Sequence, residues 1–147
     1  MNEQEISNQR RKLLAEICQR YGLAILYVFG SRAQEVYQWS RGALSELPAS
    51  VSDVDIGIKP HQQVFLSFDK KAQIAMELEE LFKVPRVDLV SLFDAKPFLA
   101  LDIIRGERLY ARDENIADEY DLFILRQAGD LVPLERERID LILRKTR

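Results

Sequence analysis

From Glu3 to Tyr21 the apolar residues keep to one stripe, with Ile6, Leu13, Leu14, Ile17, Cys18 and Tyr21 at helical spacing and Gly22 as a stop. The period then changes. Ala24-Ile25-Leu26-Tyr27-Val28-Phe29 is an unbroken apolar run, which predicts a short buried strand. Across residues 52–58, Val54, Ile56 and Ile58 alternate with Asp53, Asp55 and Gly57, predicting a strand with one apolar and one acidic side. Ile74, Leu78, Leu81 and Phe82 return to helical spacing, so a helix is expected from Ser67 or Asp69, with Asp69 as cap, to Phe82. A strand over 86–91 follows, and Phe93 to Pro97 opens another helix with proline in its first turn, where the missing N–H is harmless. Leu109-Tyr110-Ala111 reads as a short extended piece.

Ile116, Tyr120, Phe123, Ile124, Ile139, Leu141 and Leu143 carry an amphipathic tail, interrupted by Gly129 and Pro133, which predicts two helices or one kinked helix. The expected fold is α/β or α+β: a small mixed β-sheet with helices on one side and a C-terminal helical tail. A length of 147 residues with 47% hydrophobic content supports one core and therefore one domain over 1–147, with its core about 22–112 and its tail about 114–147.

Charge and cysteine content narrow the function classes. With 21 basic and 24 acidic residues the net charge is −3, so the global electrostatic footprint of a polynucleotide binder is missing and no stable nucleic-acid binding is expected. Short basic clusters at Arg10-Arg11-Lys12, Lys70-Lys71 and Arg144 to Arg147 read as solvated helix faces. Cys18 is the only cysteine, so no disulfide can form within the chain, and its place on the first helical stripe makes it a core residue. Met1-Asn2-Glu3-Gln4-Glu5 has neither a basic nor an apolar leader pattern, and no apolar run approaches the ~20 residues of a membrane span. A cytoplasmic location without membrane contact is the expectation. His61, the only histidine, sits in a polar stretch and reads as exposed.

The chemistry points to carboxylates. Asp53 and Asp55 project from the same side of their strand, and two carboxylates held close raise one another's pKa, a cost that a divalent cation removes. Mg²⁺ favours carboxylate oxygens together with substrate phosphate oxygens. Gly30-Ser31-Arg32-Ala33 directly follows the first strand; a glycine there admits a close phosphate, and the serine hydroxyl and neighbouring N–H groups can bind its oxygens. Arg32 is a candidate for reaching a phosphate. Asp88, in Arg86-Val87-Asp88-Leu89-Val90, faces opposite to Val87 and Leu89 and would complete three carboxylates if its strand lay beside the first pair. There is no Gly-x-x-x-x-Gly-Lys loop, no Cys/His cluster for zinc and no identifiable partner set that would make Ser31 a nucleophile.

In this order, the strand, Gly30-Ser31-Arg32-Ala33, Ser52-Asp53-x-Asp55, the helix and Val87-Asp88-Leu89-Val90 resemble the nucleotidyltransferases of the DNA polymerase β type, over residues 22–112. Within them they look like the minimal nucleotidyltransferase (MNT) group. The resemblance implies that Gly30 and Ser31, with Arg32, contact nucleotide phosphates, and that Asp53, Asp55 and Asp88 hold two Mg²⁺ ions for adenylyl transfer from ATP. Asp88 is either ligand only or also the base for the acceptor hydroxyl. The MNT group is similar to antitoxins that bind HEPN-domain ribonuclease toxins and silence them by adding AMP to a tyrosine. The implied function is thus a toxin-directed adenylyltransferase in a hetero-oligomer, against the alternatives of a stand-alone enzyme acting on a small-molecule hydroxyl or a non-catalytic antitoxin. One departure is the link of 21 residues from Arg32 to Ser52, longer than the family usually has. Its Tyr37, Trp39 and Leu44 read either as anchors for a docking partner or as groups that pack onto the chain's own core.

Overall fold

A computed structural model describes the backbone of residues 1–145 and the side chains of residues 1–129. Helix α1, Glu3–Arg20, starts at Asn2, whose side chain accepts from the Glu5 N–H at 2.8 Å, and its buried residues are Ser7, Leu14, Ile17 and Cys18. Leu13, expected on that stripe, is instead exposed. Strand β1 is Leu23–Phe29, α2 Ala33–Ser40, β2 Val54–Pro60 and α3 Phe68–Phe82. Strand β3 is Val87–Ser91, α4 Pro97–Ile104, β4 Glu107–Ala111 and α5 Glu114–Lys145.

The four strands lie in the order β3-β2-β1-β4. β1 is antiparallel to both β2 and β4, while β2 and β3 run parallel. A parallel neighbour cannot be reached by a tight turn, and α3 supplies the crossover. The unbroken apolar run of β1 needs cover on both sides. On one side Leu26 and Val28 join Val54, Ile56 and Ile58 beneath Leu14 of α1, Val36 of α2 and Leu78 of α3. On the other, Ile25 and Tyr27 pack against Ile103 of α4 and Ala117 and Ile124 of α5. The helices therefore cover both faces rather than the one expected. α4 lies close on β2: a Cβ at Gly57 would fall 2.3 Å from Cγ2 of Ile103, so only glycine fits under that helix.

The 32–52 link departs most from its sequence reading. It folds first as α2, and Trp39 on that helix is 5% exposed, its ring edge-on to Phe82 with centroids 5.3 Å apart. Leu44 and Leu47 pack against the same cluster. Trp39 is therefore a core residue and not a docking anchor. Two arginines hold the rest of the link. Arg10 lies over the Trp39 ring, 4.4 Å from its centroid, and donates to the carbonyls of Trp39, Leu44 and Ser45 at 2.7, 2.6 and 2.7 Å. Arg32, which is buried, donates to the Pro48 and Ser52 carbonyls at 2.7 and 3.3 Å and pairs with Glu35. Both thereby satisfy backbone acceptors that an irregular segment cannot satisfy itself.

Smaller differences concern ends. α3 is capped by Ser67, which accepts from the Lys70 N–H at 3.2 Å, and not by Asp69. The tail is one helix, the second of the two alternatives expected, and the expectations for Ile139, Leu141 and Leu143 lie outside the described side chains. Among the described residues no helix is long and apolar enough to cross a membrane.

Candidate functional site

The last residue of β1 and the first residues of β2 and β3 meet at one corner of the sheet. Phe29 pairs with Asp55, and Asp55 pairs with Asp88 on the parallel neighbour, so two carboxylate-bearing residues stand abreast on adjacent strands. Asp53 precedes Asp55 by two positions, just before β2 begins. Burial, then the charge of Asp88, then that of Asp53 push the Asp55 carboxyl above its ordinary range. Both neighbouring carboxylates thus act on Asp55. The three are not closed into a cage: among the described residues no group of three or more His, Cys, Asp or Glu side chains is gathered tightly enough to hold a metal. Asp88 is exposed, and Asp53 lies 3.5 Å from Nε of Arg86.

Gly30 forms the turn out of β1 over this corner. Its φ is +77°, a left-handed value that L side chains rarely adopt, and a Cβ there would fall 2.3 Å from Oδ2 of Asp55. The backbone consequently lies against the carboxylate, with Ser31 exposed next to it. α2 begins immediately afterwards. Its first residue, Ala33, donates to the Gly30 carbonyl at 3.3 Å, and Arg32 at the cap position makes no side-chain cap bond. A helix start without a side-chain cap offers N–H groups and the positive end of its dipole to an anion.

Of the residues singled out in the sequence, the fold brings Gly30, Ser31, Asp53, Asp55 and Asp88 to this corner. Arg32 is adjacent in sequence, but its guanidinium is engaged with Glu35 and the 48–52 carbonyls, which makes it a fastening for the loop leading to Asp53. Two residues without a sequence signal also shape the corner. Glu79 on α3 accepts from the Val87 N–H at 2.9 Å and so fixes the start of β3 one residue before Asp88. Arg86 accepts from the Val54 N–H through its carbonyl at 3.3 Å while its side chain faces Asp53. Only the fold makes either visible, since eight residues separate Glu79 from its partner and thirty-three separate Arg86 from Asp53.

The donor set is chemically consistent with Mg²⁺ or Mn²⁺. Asp55, its carboxyl already raised by burial and by Asp88 and Asp53, gains from a nearby divalent cation, and a neighbouring uncapped helix start suits phosphate oxygens that such a cation would share.

The fold is shared with solved toxin–antitoxin structures. A chain from the MntA–HepT complex superposes at a TM-score of 0.64 and 16% identity, covering 92% of this chain and 98% of that one. A toxin–antitoxin structure with AMP-PNP gives 0.67 and 18%, over 90% and 98%. A third, of a tri-AMPylated Shewanella oneidensis HEPN toxin in complex with MNT antitoxin, gives 0.64 and 16%, over 93% and 98%. At such identities the likeness is one of fold. No curated protein sequence matches the chain. The sequence profile described as "Polymerase beta, Nucleotidyltransferase" matches residues 12–115, which contain every strand and the whole acidic corner. The chain belongs to the polymerase beta nucleotidyltransferase family.

Proposed function

We propose that this protein is an Mg²⁺-dependent adenylyltransferase that acts in the cytoplasm as the antitoxin of a HEPN ribonuclease toxin, transferring AMP from ATP to a hydroxyl of that partner. The observation that carries the chemistry is the Asp55–Asp88 register with Asp53 at hand and the Gly30 turn lying on Asp55. Asp53 and Asp55 would hold one ion and, with Asp88, the second. Bound there, the two ions supply charge neutralisation to an in-line displacement. The Ser31 hydroxyl and the N–H groups at the start of α2 bind oxygens of the β- and γ-phosphates. The acceptor oxygen attacks the α-phosphorus, its proton passes to Asp88 or to water, and pyrophosphate leaves. This chain supplies mainly position and field, which is where such catalysis gains its rate.

The partner is inferred from two facts. The neighbours in fold include an MNT antitoxin in complex with an AMPylated HEPN toxin, and the alignment covers 93% of this chain and 98% of that one. Incubating the protein with Mg²⁺, ATP and the HEPN protein encoded beside it, then measuring intact mass, tests the reading. The toxin gains adenylate mass with wild type and none with Asp53→Asn/Asp55→Asn. A toxin that is silenced yet unmodified overturns the enzymatic reading, and adenylylation of a small hydroxyl compound such as an aminoglycoside in its place overturns the partner.

A further inference from the structure

At the end of β2 remote from the carboxylates, Lys59 stands between two open cavities of about 350 and 410 Å³, a size range typical of small-molecule sites. Four residues separate it from Asp55, roughly 13 Å along a strand, so this is a separate place on the molecule. The smaller cavity has aromatic walls, Phe93, Tyr120 and Phe123, over a floor that includes Leu92 and Ile124. Phe93 and Phe123 are exposed, at 46% and 51%, which leaves their rings free to take a planar ligand.

Lys59 is the cation of this cavity. Its Nζ lies 5.0 Å from the centroid of the Tyr120 ring and 3.4 Å from the Pro60 carbonyl. Among the described residues no carboxylate lies within ion-pair distance of it. Half burial pushes its pKa down, as expected for an ammonium short of compensation. Across Lys59, the larger cavity adds Arg112 and His61, likewise without an ion pair among the described residues. The acid that lines it, Asp113, is committed to the start of α5, accepting from the Asn115 and Ile116 N–H groups at 2.9 and 3.1 Å. A mixed, aromatic-walled space, lined also by Gln62, Gln63 and Gln127, with an ammonium that has no ion pair among the described residues suits an anion on a flat apolar body, whose carboxylate pairs with Lys59 and whose ring lies on the aromatic walls.

We propose that the groove between the end of β2, α4 and α5 is a binding site for a small aryl carboxylate, its ring against Tyr120 and Phe123 and its carboxylate on Lys59. The assignment is independent of the adenylyl-transfer reading. Calorimetric titration of the full chain with 2-naphthoate, without Mg²⁺ or ATP, tests it, with the neutral isostere 2-naphthamide as the comparison. Saturable one-to-one binding of naphthoate, at least about tenfold tighter than naphthamide, is expected. Lys59→Gln should remove that preference and Lys59→Arg retain it, while Arg112→Gln lowers naphthoate affinity about two- to threefold from a greater distance. Equal binding of acid and amide, an unchanged preference in Lys59→Gln, or no saturable binding overturns the proposal. A thermal melt of Lys59→Gln coinciding with wild type ensures that any loss comes from the site.

Discussion

Two buried residues of α1 and α2 show how far a single side chain is committed to the core. Trp39 offers its edge to Phe82 and its face to Arg10, and it is almost wholly inside. Trp39→Ala should therefore cost about 3 kcal/mol or more of folding stability, the scale for truncating a buried aromatic, with no specific loss of partner affinity in the fraction that stays folded; chemical denaturation alongside partner titration separates the two. Cys18 carries a pH signature. Burial pushes its thiol up to about 12, against an unfolded value of ~8.5. The folded state thus keeps a proton that the unfolded state releases. Its contribution to stability is complete below the unfolded pKa and is lost as pH rises from ~8.5 toward about 12, at up to about 1.4 kcal/mol per pH unit. Wild type should accordingly lose denaturant resistance between pH 8 and 10 more steeply than Cys18→Ala. Parallel curves for the two would refute the assignment.

At the scale of elements, Arg108 binds helix to sheet. From β4 it donates to Glu114, Asp118 and Asp121 at 2.7, 3.0 and 2.7 Å, three acids on the first two turns of α5, and Asp121 also accepts from the buried Tyr27 hydroxyl. The bonds to these carboxylates hold the Arg108 pKa up against the burial that would lower it. Arg108→Ala leaves three carboxylates facing one another around an uncompensated patch. Two of them are exposed and screened, so the expected loss is about 2 kcal/mol, and amide exchange in residues 114–121 should accelerate more than in β1. Uniform acceleration would show that the clasp is not local.

None of this network was legible in the sequence, because an arginine and acids six to thirteen residues later look like any charged surface. What period and turn chemistry encode, the strands at β1 and β2 and the helices α1 and α3, was legible within a few residues. The place of the acids at one corner was legible as well, since Asp55 and Asp88 lie in alternating strand patterns and Asp53 precedes Asp55 by two. Cover on both faces of the sheet was not, because nothing local tells a tail helix which side to choose. Nor was α2, whose eight residues lie in a segment that the family's shorter link had marked as surplus.

For the molecule as a whole, the corner draws on three separated stretches: the turn at Gly30, the start of β2 and the start of β3. A ligand bridging them is linked to unfolding of the entire sheet. Mg²⁺-ATP at a hundred times its dissociation constant should raise global stability by about 2.7 kcal/mol, read as a shift of the whole denaturation curve, and Asp88→Asn should abolish that shift. A ligand that protects only residues near Gly30 from exchange would show that β3 takes no part.

The parallel pairing of β2 with β3 has a further effect on timing. Asp55 and Asp88 become neighbours only after α3 has crossed over and β3 has docked beside β2, thirty-three residues later in the chain. On the ribosome, therefore, the three acids of the proposed site cannot come together until the polypeptide has grown past Asp88. Until the third carboxylate emerges from the exit tunnel and its strand pairs, the growing chain has a glycine turn and two acids with no third acid abreast of Asp55. The corner is thus completed by the docking of one strand on another and not by local folding around Gly30.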